Sequence, residues 1–265
     1  MANETNHSQV AIKVAGVEKV YRTKSRDIHA LASCTFEVRK TEFLSLVGPS
    51  GCGKTTLLNI LGGLLPPSRG EIWVEGRKLT EVPDNIGYVF QDPVLLPWRT
   101  VIRNVRLPLD VRGVNGKQAE EKARQALDMV GLWDFRNQYP HELSGGMKQR
   151  VAIARALGYE PSILMMDEPF GALDALTREK LNLRLLKIWS KTQKTVVFVT
   201  HNISEAVFLS DRVAVFQGHP GTIKTIVEID LPRPRGASVM DDPRFAQYIS
   251  VIRKDLGHLE EEEEI

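Results

Sequence analysis

The chain has 265 residues, 42% of them hydrophobic and 26% charged, and a formal net charge of +2. These values are ordinary for a globular protein with a sizeable core, and so small a net charge does not indicate a general nucleic-acid-binding surface. The two cysteines, Cys34 and Cys52, are not spaced as metal ligands, which favours a reducing compartment.

Strand patterns alternate with helical patterns along most of the chain. Polar residues 1–10 come first and do not resemble a secretory signal. Strands are predicted at 11–21, 42–48, 71–76, 85–91, 162–168, 195–201 and 211–217. Several of these are continuous apolar runs, which are typical of parallel strands covered by helices on both faces. The alternation predicts an α/β domain with a largely parallel sheet.

Two stretches depart from this alternation. Between Pro93 and about Pro161 the pattern is helical, and residues 116–132 place five small or apolar residues at helical spacing. These are Ala119, Ala123, Ala126, Leu127 and Val130. We expect a helical insert here. Residues 231–265 contain the sequence LPRPRG and then five glutamates, 260–264, which favours a peripheral arm with a solvated tail. The longest apolar helical stretch, 57–65, is far shorter than the ~20 residues that span a bilayer, so we expect a soluble chain.

The sequence GPSGCGKT at 48–55 matches the phosphate-loop pattern in full, between a predicted strand and a predicted helix. Its members are Gly48, Pro49, Ser50, Gly51, Cys52, Gly53, Lys54 and Thr55. Glycines let backbone N–H groups turn inward towards phosphate oxygens at a helix N-terminus. Lys54 would add charge at the β- and γ-phosphates, and the Thr55 hydroxyl would bind Mg²⁺. A plain glycine turn before a helix is the alternative.

The apolar run ILMMDEP at 163–169 ends in two carboxylates. A carboxylate at the end of a parallel strand faces the ligand crevice of an α/β fold. We therefore assign Asp167 to Mg²⁺ and Glu168 to polarising the attacking water, a form of general-base assistance. The alternative is that Glu168 only caps the turn before Pro169.

A second anion-binding helix entrance lies at LSGGM, 143–147. With it, six elements appear in the order found in the nucleotide-binding subunits of ATP-binding cassette (ABC) transporters, which the chain resembles over about residues 11–217. They are the loop at 48–55, Gln91, LSGGM, the strand at 163–168, ALD at 172–174, and His201. The resemblance implies a P-loop NTPase core with an antiparallel β subdomain and an inserted α-helical subdomain. It would place the ABC ATPase domain at 11–230, its helical subdomain at about 93–160, and a C-terminal extension without a regulatory domain at 231–265.

The resemblance also implies a site shared by two chains packed head to tail. ATP and Mg²⁺ would bind one chain, while Ser144, Gly145, Gly146 and Asp174 of the second copy would cover the nucleotide. In the first chain, Tyr21 would stack on adenine and Thr56 would extend the phosphate loop. Gln91 would contact Mg²⁺ and the attacking water, and His201 would contact the γ-phosphate. The alternatives are that Ser144 is an ordinary helix N-cap and that Tyr21 and His201 are structural.

Finer resemblance, at 91–109 and 167–179, is to importer ATPases for nitrate, sulfonates and taurine, with bicarbonate and pyrimidine-type vitamin precursors as alternative cargoes. It implies an ABC-type translocase on the cytoplasmic face of the bacterial inner membrane. Two permease subunits would contact the Gln91–Trp98 region, which exposes Leu95, Leu96, Pro97 and Trp98, and an external binding protein would deliver the solute. Trp98 packed inside the helical insert is the alternative. Competing functions are a soluble cassette ATPase acting on ribosomes or DNA, and a non-hydrolysing scaffold.

Overall fold

A computed structural model of the protein describes residues 10–24 and 26–257. The glutamate run at 260–264 lies outside these residues. The chain divides into two compact units: residues up to Asp84 together with those from Gln193 onward, and residues 85–192. Within the described residues, no helix combines the length and apolar character needed to cross a membrane.

Strands and helices alternate singly only between α4 and β9, and elsewhere several elements of one kind follow one another. The strands are β1 (Val10–Arg22), β2 (Asp27–Arg39), β3 (Phe43–Val47), β4 (Arg69–Val74), β5 (Arg77–Lys78), β6 (Ile86–Val89), β7 (Ile163–Asp167), β8 (Thr195–Thr200), β9 (Arg212–Gln217) and β10 (Thr222–Glu228). The helices are α1 (Lys54–Leu61), α2 (Val101–Val111), α3 (Gly116–Val130), α4 (Gly145–Leu157), α5 (Ala175–Thr192), α6 (Ile203–Leu209) and α7 (Pro243–Asp255). Short 3-10 helices lie at Trp133–Phe135, Pro140–Glu142 and Ala237–Asp241.

One sheet of the first unit is antiparallel, in the order β2-β1-β4-β5. Apolar residues alternate along parts of its strands, so that Val14, Phe36 and Val38 are buried between exposed or half-buried neighbours. This sheet is the antiparallel β subdomain that the family resemblance implied. The sequence pattern did not predict its strand β2 at 27–39.

The other strands of the first unit run in the order β10-β9-β3-β8. β3 pairs in parallel with both β8 and β9, whereas β10 pairs antiparallel with β9. Every residue of β3 and β8 is buried, as expected for strands that are covered on both faces. The prediction of a largely parallel α/β core is confirmed here.

The second unit combines the parallel pair β6–β7 with helices α2 to α5. The five residues that predicted the helix at 116–132 are all buried on one face of α3. This helix starts at Asn115, whose side chain accepts a hydrogen bond from the Lys117 N–H, and ends at the left-handed residue Gly131. The predicted insert of about 93–160 falls within this unit, which also contains β6, β7 and α5.

Residues 231–257 belong to the first unit and pack onto it more closely than the expected peripheral arm. Helix α7 contacts α6 and β10. Phe245 and Ile252 are its buried residues, and Asp242 caps its N-terminus before Pro243. The extension therefore adds to the core of the first unit.

Candidate functional site

The phosphate loop joins β3 to α1 in the first unit, as the motif predicted. Gly53, the N-cap of α1, has a φ of 96°, and a Cβ there would lie 2.7 Å from the carbonyl oxygen of Ala30. A Cβ at Gly48 would lie 2.8 Å from that of Phe216. Both positions therefore require glycine, for backbone conformation at Gly53 and for space at both. The following helix ends at Leu61, earlier than the apolar run suggested.

Lys54 lies across this loop and is buried. Its ammonium group donates to the carbonyl oxygens of Gly48 at 2.8 Å and Pro49 at 2.7 Å. Backbone dipoles thus balance a buried charge, as such a charge requires. Phosphate oxygens would be stronger acceptors, because both sides of those hydrogen bonds would be charged. The loop therefore holds a cation where a polyphosphate would bind.

Tyr21 lies near the end of β1, close to the start of α1. Its ring is 38% exposed, its hydroxyl is 3.5 Å from that of Thr56, and the Lys19 ammonium lies 5.3 Å from the ring centroid. An exposed ring fixed beside the phosphate loop is suited to stacking on a base. Adenine binding by Tyr21 stays a prediction.

His201 follows the last residue of β8, and its side chain is exposed. The turn around it is tightly bonded. The Thr200 hydroxyl donates to the Glu205 carboxylate at 2.5 Å and accepts from the Asn202 N–H at 3.0 Å. The Asn202 side chain in turn accepts from the Glu205 N–H, capping α6. Sequence reasoning missed these supporting residues, although Asn202 and Glu205 have the spacing of a capping box.

In the second unit, Asp167 is the last residue of β7 and is only 7% exposed. Burial, and next the Asp167 charge, raise the pKa of the Tyr88 hydroxyl on the neighbouring strand. Glu168 is half-buried and has a φ of 39°. This left-handed conformation costs a non-glycine residue about 1–2 kcal/mol, and such strain concentrates at functional sites.

The magnesium ligands predicted from the sequence can be tested by their chemistry. Among the described residues, no group of three or more His, Cys, Asp or Glu could hold a metal ion by itself. A metal would need other oxygens, and the predicted ligands Thr55, Gln91 and Asp167 are a hydroxyl, an amide and a carboxylate. One carboxylate completed by neutral oxygens and substrate phosphates is the donor set that Mg²⁺ takes in nucleotide sites. The residues therefore fit the ion.

Ser144 and Asp174 both cap helices of the second unit. The Ser144 hydroxyl accepts from the Met147 N–H at 3.3 Å at the start of α4, and an Asp174 oxygen accepts from the Thr177 N–H at 3.0 Å. The latter bond lowers the pKa of Asp174. The N-cap interpretation of Ser144 is thus correct as a local description. Ser144 and Gly145 are also exposed, so the positive end of α4 stays accessible to an anion.

Gln91 lies two residues beyond β6 and is exposed. Beside it the second unit has a cavity of about 330 Å³. The cavity is mainly aromatic and aliphatic, and its lining residues are Tyr88, Phe90, Val94, Leu96, Leu107, Pro108, Arg155, Ala156 and Tyr159. Leu95 and Leu96 are half-buried rather than exposed. Trp98 is 72% exposed, so the alternative that it packs inside the helical insert is wrong.

Asn104 fixes the loop between Gln91 and α2 and was not found from the sequence. Its fully buried side chain accepts from the Leu96 N–H at 2.8 Å and donates to the Leu96 carbonyl oxygen at 3.1 Å. It also donates to the carbonyl oxygens of Arg99 and Thr100. Nearer to Gln91, the Arg155 guanidinium donates to the carbonyl oxygens of Pro93 and Val94. The exposed Trp98 is therefore carried on a loop with a defined backbone.

Comparison with known proteins agrees with this arrangement. The family model for the ABC transporter matches residues 31–171, which include the phosphate loop, Gln91, the LSGGM sequence at 143–147 and the Asp167–Glu168 pair. The chain belongs to the ABC transporter family. It is an ATPase of the kind that couples hydrolysis to transport.

Relatives of this ABC ATPase match it over most of their length. An ABC transporter ATP-binding protein of Methanocaldococcus jannaschii is 47% identical over 93% of this chain and 92% of its own. An aliphatic sulfonates import ATP-binding protein of Bacillus cereus is 42% identical, over 85% of this chain and 89% of its own. A taurine import ATP-binding protein of Rhizobium johnstonii is 44% identical, over 89% of this chain and 92% of its own.

Among solved structures, the ABC ATPase fold matches an ATP-binding cassette dimer in a post-hydrolysis state bound to ADP and Pi. The TM-score is 0.74 and the identity 36%, over 85% of this chain and 99% of that one. The fold class predicted from the sequence, a mixed α/β cassette, is confirmed by this match.

Proposed function

We propose that this ABC ATPase is the energy-supplying subunit of an importer for a small anionic solute of the sulfonate, taurine or nitrate type. The observation that carries the proposal is the 42–44% identity, over 85–89% of the chain, to sulfonate and taurine import ATP-binding proteins. The chain would act as a peripheral subunit on the cytoplasmic face of the inner membrane. A separate permease and an external binding protein would select the solute.

In the proposed mechanism, ATP binds the phosphate loop of one copy, with Lys54 at its β- and γ-phosphates and Tyr21 on adenine. Thr55, Gln91 and Asp167 would hold Mg²⁺, which neutralises phosphate charge. The second copy would contribute Ser144, Gly145, Gly146 and Asp174, so that the exposed N-terminus of α4 adds donors where negative charge is greatest. Two copies packed head to tail then make two equivalent sites.

Hydrolysis follows closure of this dimer. Glu168 polarises the attacking water, Gln91 orients it, and His201 contacts the γ-phosphate. Closure does work only because ATP binds the closed dimer more tightly than the open one. Loss of the γ-phosphate removes that preference, and the dimer reopens.

The permease contact proposed for Gln91–Trp98 is supported by the apolar cavity beside Gln91. A cavity of about 330 Å³, with an exposed tryptophan two residues beyond its lining residue Leu96, is suited to a short helix with one or two apolar side chains. Because Phe90 lines the cavity and Gln91 follows it directly, a shift of this loop would reach a residue proposed to act at the nucleotide.

The decisive experiment is Glu168→Gln in the complex assembled with its permease. The variant should lose at least 99% of its ATPase activity, retain ATP and stay dimeric, because removing the carboxylate blocks chemistry and leaves nucleotide binding intact. Glu179→Gln, an exposed glutamate on α5, is the matched control and should hydrolyse ATP normally. Undiminished activity of the Glu168 variant would exclude the assigned role, and co-purification with ribosomes or DNA in place of a permease would overturn the importer proposal. Uptake of labelled taurine or nitrate by reconstituted vesicles would identify the cargo.

A further inference from the structure

The segment LPRPRG at 231–236 contains a buried arginine that the proposed mechanism does not use. Arg235 is 7% exposed. One terminal nitrogen donates to the carbonyl oxygens of Val207 and Phe208 at 3.1 Å and of Ser210 at 2.7 Å. The other donates to those of Ile229 and Leu231. Burial lowers the pKa of Arg235 to about 10, so it is still a cation at neutral pH.

Arg233 completes the same contact. Its guanidinium donates to the Leu209 carbonyl oxygen at 2.8 Å and pairs with the Asp211 carboxylate at 2.7 Å. Together the two arginines therefore donate hydrogen bonds to the carbonyl oxygens at the C-terminal end of α6 and at its C-cap, from Val207 to Ser210. A helix leaves these carbonyls without internal partners, and cations at this end also oppose the helix dipole.

The residues that follow the C-terminal end of α6 are also hydrogen-bonded to β3. The second Asp211 oxygen accepts from the Phe43 N–H at 2.8 Å, and the Asp211 N–H donates to the Phe43 carbonyl oxygen. The buried Ser45 and Ser210 hydroxyls are 2.5 Å apart. β3 is the strand that leads into the phosphate loop. The arginines thus hold α6 in a fixed position on that strand.

His201 precedes the other end of this helix. α6 has seven residues, about two turns, and a helix of that length is not stable without outside contacts. Its N-terminal end carries the bonded turn of Thr200, Asn202 and Glu205 around His201. The His201 backbone therefore leads directly into a short helix whose C-terminal end is held by the two arginines.

We propose that Arg233 and Arg235 are positioning residues for His201, which they align by fixing α6 to the strand before the phosphate loop. The proposal rests on the role assigned to His201 in the proposed function. It gives the LPRPRG segment a part in γ-phosphate sensing, although neither arginine touches the nucleotide.

The test uses the full-length chain with ATP and Mg²⁺, at concentrations that allow dimerisation. Arg235→Met should lower kcat at least tenfold and leave the KM for ATP within twofold, because the γ-phosphate contact and not nucleotide binding is disturbed. Arg235→Lys, which keeps the charge and three donors, should lose only two- to fivefold. Arg244→Met is the control: this arginine lies in the same C-terminal segment but contacts Asp242 and Asp230, and its variant should match the parent chain.

A second readout separates positioning from a loss of stability. In protein labelled at its six histidine imidazoles, the His201 resonance, assigned with His201→Ala, should shift when a non-hydrolysable ATP analogue and Mg²⁺ are added. The shift should be lost in Arg235→Met at saturating analogue. A normal shift in that variant overturns this inference alone. Full ATPase activity of His201→Ala overturns the assigned role of His201, and with it the inference.

If Arg235→Met does not fold, the kinetic test uses Arg233→Lys and Arg235→Lys instead. A normal kcat in both of these variants would contradict the inference.

Discussion

Replacing Gly221 with alanine tests whether the turn between β9 and β10 supports the phosphate loop. Gly221 is buried at the end of that turn. A Cβ at this position would overlap the carbonyl oxygen of Cys52, well inside the 3.0 Å that real Cβ atoms keep. The new methyl group would also meet the Ala30 carbonyl oxygen at 3.4 Å. Either the turn or the phosphate loop must therefore move.

The structure indicates that the loop moves. The Gly221 N–H donates to Ala30 at 3.1 Å and its carbonyl oxygen accepts from Ala32 at 2.9 Å, so shifting the turn would break two backbone hydrogen bonds worth about 1 kcal/mol each. Overpacking of a close contact costs about 1–3 kcal/mol. If this strain falls on the ATP-binding conformation of the loop, the Kd for ATP rises about five- to 150-fold.

Calorimetric titration with a non-hydrolysable ATP analogue and Mg²⁺ measures this change in Kd. Gly236→Ala is the matched control, because a Cβ there has nothing within 4 Å and the variant should bind as the parent chain does. Thermal unfolding without nucleotide shows whether the Gly221 variant is folded. A folded variant whose Kd stays within twofold of the parent value would refute the argument.

Three other predictions concern residues outside the catalytic set. Asn104→Ala should lower the free energy of unfolding by about 2–4 kcal/mol, since a buried amide with four hydrogen bonds is lost, and a urea titration will measure this. Burial raises the pKa of the Cys34 thiol to about 11, so little of it is thiolate at pH 8.5. In a Cys52→Ala background, iodoacetamide at that pH should therefore modify Cys34 about 100-fold more slowly in the native chain than in the unfolded chain. Comparable rates in the two states would contradict the burial of this thiol. Trp98→Ala should lower permease-stimulated ATPase activity at least fivefold and leave the Kd for ATP within twofold; unchanged stimulation would place the permease contact elsewhere.

The elements nearest the nucleotide site could be predicted because their sequence patterns are compatible with few local structures. The pattern at 48–55 specifies a loop whose glycines meet the backbone of Ala30 and the side chain of Phe216. The apolar runs at 43–47 and 195–200 are buried throughout, so their strand assignment followed from composition alone.

β2 and α7 were missed because their patterns are weak. β2 is paired to β1 with several register shifts, and such bulges interrupt the period-two alternation of side chains. α7 buries only Phe245 and Ile252 among its residues, too few for an amphipathic stripe, and its start at Asp242–Pro243 is the signal that could have found it.

The residues that hold the site are harder to find than those that would touch ATP, and the reason is chemical. A phosphate loop binds its ligand through side chains and glycines that have a recognisable spacing. Arg235 and Asn104 instead bind backbone carbonyl oxygens, which every residue possesses, so the sequence of the acceptor carries no signal. Arg235 also lies 25–28 residues from its α6 acceptors, beyond the range of any helical or strand period. Substitutions in such supporting residues should therefore change turnover without altering any motif by which the family is recognised.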